Sequence, residues 1–171
     1  MTTLGIWVHR TANILALIGG IILVVASVIT CISIIGSVTY KPLPGEIELV
    51  EALCGIAVFA FMPFCQLHRG HVSVDLLIGA LGNRATLYAQ LVGDIVIAVL
   101  FAIVTWRHWV GTLDKMRNGE TTTILELPVW WGFVAGLVLL IATVAISIYV
   151  IFVDIRDLKN DARIAVQAGD H

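Results

Sequence analysis

NILALIGGIILVVASVITCISII, residues 13–35, runs for 23 positions without a charged side chain. As a helix it rises about 35 Å, enough to cross a hydrocarbon layer about 30 Å thick. Lipid offers no partner to a free amide or carbonyl, so such a stretch must satisfy its backbone internally as a helix. Three further stretches meet the same test, residues 47–67, 87–106 and 129–153. Breakers punctuate the joints: Pro42, Pro44 and Gly45 before the second stretch, Gly79 and Gly82 before the third, Asn118, Gly119 and Pro128 before the fourth. The reading is an all-α integral membrane protein, one membrane domain with four transmembrane helices. A cleavable leader has an apolar core of about 7–15 residues, so the longer first stretch is expected to remain as an anchor.

Composition agrees. Hydrophobic residues make up 59% of the chain and charged residues 13%, against about 45–50% and 25% in a soluble domain. A net charge of -2 supplies no basic footprint for phosphates, which excludes nucleic acid as a partner. Cys31, Cys54 and Cys65 lack the spacing of a metal clamp and read as small hydrophobes. Membrane lipid is the expected surrounding of most of the chain.

Basic residues set the expected orientation. With the N-terminus inside, Arg10, Arg69, Arg84, Arg156, Lys159 and Arg163 are cytoplasmic, and Lys41, Arg107, Lys115 and Arg117 lie outside, six against four. Both termini are therefore expected in the cytoplasm, with Trp106, Trp109, Trp130 and Trp131 at the outer interface. Residues 71–86 are too short to span but mix Val72, Val74, Leu76, Leu77 and Leu81 with Asp75, Asn83 and Arg84, which predicts an amphipathic interfacial helix, with an irregular connecting loop as the alternative. Residues 154–171 carry both signs of charge and are expected to form a cytoplasmic tail, helical at first and then fraying.

Polar residues at membrane depth are the candidates for function. Glu48 and Glu51 share a face at the outer start of the second helix. Close to water, they either snorkel or cap that helix, whose dipole favours carboxylates, or one of them pairs with a basic group on a neighbouring helix or partner subunit. Asp94 lies deeper, one turn from Gln90, and the two are expected to form a hydrogen-bonding patch between helices. Gly132, Gly136, Thr143 and Ser147 form a stripe of small residues on the fourth helix, and Thr30, Ser33 and Ser37 a shorter one on the first.

Glu48 and Glu51, the segment Arg69-x-His71-Val72-x-Val74-Asp75 and the run Leu127-Pro128-Val129-Trp130 stand in an order that resembles the small membrane subunit of tripartite ATP-independent periplasmic (TRAP) transporters. The resemblance covers roughly Thr11 to Asp157. It implies a DctQ-like scaffold beside a large membrane subunit that carries the substrate and sodium sites, with a periplasmic binding protein delivering a small organic acid. It places the chain in the bacterial inner membrane with no cofactor of its own, and makes Glu48, Glu51, Arg69, His71, Asp75, Asp94, Pro128 and Trp130 candidates for partner contact or structure. The chain has no P-loop, H-E-x-x-H or G-x-S-x-G motif, so it is not expected to be an enzyme. The outer segment from Arg107 to Leu127 is the expected surface for the binding protein.

Two other readings compete. Four-helix membrane anchors often hold haem b between two imidazoles, and His9 and His68 fall at similar depth. A self-sufficient small transporter would need paired intramembrane charges or broken helices, which these stretches lack.

Overall fold

The computed structural model describes residues 3–39, 43–68 and 83–169. Four helices account for nearly all of them: α1 (Thr3–Thr39), α2 (Glu46–Leu67), α3 (Asn83–Asn118) and α4 (Trp130–Gly169). Each contains a span long and apolar enough to cross a membrane. Among the described residues the only β pairing is an isolated bridge between Thr121 and Pro128.

The helices outrun their apolar stretches. α1, α3 and α4 have 37, 36 and 40 residues, against 22 in α2. At about 1.5 Å per residue only α2 matches the bilayer, so the others must tilt or project beyond it. Residues 107–118, expected in an outer loop, instead form the last three turns of α3. The expected interfacial helix lies outside the described residues, except for residues 83–86, which begin α3. Residues 154–169 continue α4.

Helix ends follow local chemistry. Gly45, at φ 77°, turns the chain into α2, and Gly119, at φ 61°, ends α3 in the left-handed conformation favoured past a helix C-terminus.

Packing is between α1 and α2, α2 and α4, and α3 and α4, which sets α2 and α4 at the centre and α1 and α3 on the flanks. On α4, Leu140, Thr143, Ser147, Val150 and Asp154 are buried. Their alternation of three and four residues is the seam of closely coiled helices. The hydroxyls of Thr143 and Ser147 donate back to the carbonyls of Leu139 and Thr143, both at 2.9 Å, so the buried seam leaves neither donor free.

On α1 the seam is Ala12, Gly19, Ala26 and Ser33, a strict seven-residue repeat of small side chains. Gly19 lies against Ala60 and the Ala57 carbonyl of α2, where a Cβ would come within 3.1 Å and 3.3 Å. Only Ser33 of the expected Thr30, Ser33 and Ser37 stripe belongs to this seam. Ser33 is buried and accepts the Leu43 amide at 3.3 Å, whereas Ser37 is exposed and bonds its own helix at Ile34.

This seam makes a first prediction. Gly19→Ile should force α1 from α2 and cost about 1–3 kcal/mol by overpacking, whereas Gly20→Ile, where a Cβ meets nothing within 4 Å, should be nearly neutral. Thermal unfolding of both variants in detergent compares them directly. Equal midpoints would mean that α1 does not meet α2 along this seam.

Candidate functional site

Between α3 and α4 the chain forms a tight turn whose shape is held from both ends. The Thr122 amide donates to the Leu127 carbonyl at 2.9 Å and the Val129 amide to the Glu120 carbonyl at 3.1 Å. The Leu127 amide donates to the Thr122 hydroxyl at 3.1 Å. At one foot the Glu120 carboxylate accepts from Lys115 and, at 3.5 Å, from Asn118. The Lys115 hydrogen bond, opposed by some desolvation, holds the Glu120 carboxyl below the usual carboxylate range.

Glu48, in the first turn of α2, anchors the tip. One carboxylate oxygen accepts the amides of Thr123 at 2.9 Å and Ile124 at 3.0 Å, and the other accepts Leu125 at 3.2 Å. Three consecutive amides converging on one anion form a nest, and bonds to an ionised acceptor are roughly twice as strong as neutral ones. Gly45 completes the fit, because a Cβ there would fall on the Leu125 side chain, 2.9 Å from Cδ2. The capping alternative for Glu48 is replaced by a tertiary one: its partners are 75–77 positions away.

Below the turn, His108 joins α3 to α4. Its Nε2 lies 3.0 Å from the Phe133 carbonyl. A carbonyl only accepts, so Nε2 carries the hydrogen. The ring stacks on Phe133 at 5.1 Å and meets Phe59 of α2 edge-on at 5.3 Å. Gly136 makes room for this three-helix contact, since a Cβ there would reach within 2.9 Å of Phe59 and 3.1 Å of His108. Nothing local to His108 in the sequence signals this partner, which comes from 25 positions away.

Beside the turn a groove of about 770 Å³ opens between α2 and α4, mostly apolar, with Glu51 on its edge and Gly55, Phe59, Pro128, Trp131 and Gly132 among its lining. Of the expected small-residue stripe, Gly136, Thr143 and Ser147 are buried, but Gly132 faces open space. Pro128 pairs with Thr121 and accepts the Trp131 amide at 3.3 Å. Trp130 is half-buried and meets Trp131 edge-on at 5.8 Å. Trp106 and Trp109 line a second apolar depression with Leu137, Ile141 and Ile148 of α4.

At the other end, Asp94 is buried and its partner is Gln66 of α2, whose amide nitrogen approaches at 3.5 Å. Gln66, also buried, was missed as a site residue, and its amide oxygen has no hydrogen-bond partner among the described residues. Asp94→Ala should strand the whole Gln66 amide and cost about 1–3 kcal/mol, most of it recovered by adding Gln66→Leu. Thermal unfolding of the single and double variants reads this. If the double variant is no better than the single, the pair is not a buried polar contact.

His9 and His68 meet edge-on at 6.0 Å, both exposed at the helix ends, and His68 is stacked on Phe64. Among the described residues no group of three or more His, Cys, Asp or Glu is placed to hold a metal ion. Arg69, His71 and Asp75 lie outside the described residues.

The buried and hydrogen-bonded polar groups described above hold helices and a turn together, and the large apolar surface faces outward. That is the anatomy of a polytopic membrane subunit. The chain belongs to the family described as tripartite ATP-independent periplasmic transporters, DctQ component, which it matches over residues 26–157. It is thus a small permease component of a TRAP transporter, in a family of transporter components rather than enzymes. No curated protein and no solved structure matches it.

Proposed function

We propose that the chain is the supporting subunit of a sodium-gradient-driven symporter for a small organic acid. It stands beside a large membrane subunit that carries the substrate and sodium sites. The family match over residues 26–157, a component of a tripartite assembly, carries this reading. In the bacterial inner membrane with both termini cytoplasmic, the turn over residues 119–129 faces the periplasm. Anchored by Glu48, it offers the soluble binding protein a surface of fixed shape. Arg69, His71 and Asp75 belong to the opposite, cytoplasmic side. The chain itself needs no cofactor.

Affinity purification in mild detergent from native membranes, with mass spectrometry and an absorbance spectrum, tests this. One large polytopic subunit in a colourless eluate is the expected result. A haem spectrum, or the chain alone, overturns the proposal.

A further inference from the structure

We infer that the groove between α2 and α4 is the docking seat of a transmembrane helix from the large subunit, and that this helix brings a lysine or arginine to Glu51. The inference rests on the supporting-subunit reading above.

Glu48 and Glu51 occupy one helix face, yet the structure treats them differently. Three backbone amides saturate Glu48. Glu51 is exposed on a candidate membrane span and has no hydrogen bond or ion pair among the described residues. Once a partner helix covers it, such a carboxylate is costly unless a cation faces it. Among the residues lining the groove there is no lysine or arginine, and the one histidine, His108, commits its Nε2 hydrogen to Phe133. Among the described residues no cation faces Glu51, and the proposed helix supplies one.

The shape of the groove states what enters. Its wall is apolar, and its two glycines, Gly55 on α2 and Gly132 on α4, are open: a Cβ at either meets nothing within 4 Å. Gly19 and Gly136 are filled by neighbouring helices of the same chain. Gly20 and Gly93 are open too, but neither lines this groove. Small residues along a membrane groove let another backbone approach closely, and a backbone entering at that depth must be helical. The rigid turn at one end, with Leu125 and Leu127 in the same wall, closes the groove and sets how far the incoming helix can rise.

The test is recovery of the large subunit in mild detergent. Gly55→Leu and Gly132→Leu should each leave the thermal midpoint of the chain unchanged but cut recovery at least tenfold, while Gly20→Leu keeps wild-type recovery. Glu51→Lys should abolish recovery, and reversing the charge of one lysine or arginine in the partner helix should restore it. Cysteines at positions 55 and 132, with Cys31, Cys54 and Cys65 replaced by serine, should cross-link to that helix. Failure of the wild-type chain to recover a large subunit would overturn the supporting-subunit reading itself. Wild-type recovery by the Leu and Lys variants would overturn the groove alone. Cross-links to a second copy of this chain, a bound lipid lost in Glu51→Gln, or an equal loss in Lys41→Gln with no rescue from the partner would also overturn it.

Discussion

Glu48→Ala is expected to release the tip of the 119–129 turn while leaving the four helices in place. The Thr123, Ile124 and Leu125 amides all donate to this one carboxylate. Without it they must turn to water, and their hydrogen exchange should rise about tenfold or more, as for any backbone whose local opening is no longer opposed. Glu48→Gln keeps one carbonyl oxygen but loses the charge and the second acceptor, so its exchange should fall between wild type and alanine. Glu51→Gln serves as the control, because Glu51 touches none of these amides. If Glu48→Ala leaves exchange at residues 123–125 unchanged, the turn is held by its internal bonds alone and Glu48 is not its anchor. If the binding protein lands on this turn, the same variant should weaken its docking.

Gly136→Leu should be the most damaging single change in the core. Even the first carbon of the new side chain would stand 2.9 Å from Phe59 and 3.1 Å from His108. Both neighbours are rings fixed by their own contacts, so relief requires moving α2 or α3 away from α4. The expected cost is at least the 1–3 kcal/mol typical of overpacking, with loss of the His108 bond to the Phe133 carbonyl adding about 1 kcal/mol. Gly136→Ala should lose part of this, and Gly132→Leu, one turn away with open space, should lose little. Unfolding midpoints in detergent, followed by tryptophan fluorescence, rank the three. A ranking with Gly132→Leu as the worst would place the helix contact on the wrong glycine.

Much of the protein is legible from residue order. Long uncharged stretches require helices because lipid cannot satisfy a free backbone, and Gly45 and Gly119 end or begin helices because they tolerate positive φ. The family resemblance carried by Glu48, Glu51, Leu127, Pro128 and Trp130 agrees with the match over residues 26–157.

What residue order does not carry is which face of each helix turns inward. In water, burial separates apolar from polar. In lipid a leucine is equally at home inside or out, as the exposure of Leu17 at 66% and the burial of Leu140 show. The inward face of α1 is therefore marked by small size, at Ala12, Gly19, Ala26 and Ser33, and not by hydropathy. Polar pairing is likewise decided at a distance: Asp94 meets Gln66, 28 positions away, and Glu48 meets Leu125, 77 away. The sequence by itself determined the membrane helices and the family, because each depends on the character of a local stretch. Only the tertiary structure decided that Glu48 is spent on a turn while Glu51 is left facing a groove, because that depends on which distant amides arrive beside each carboxylate.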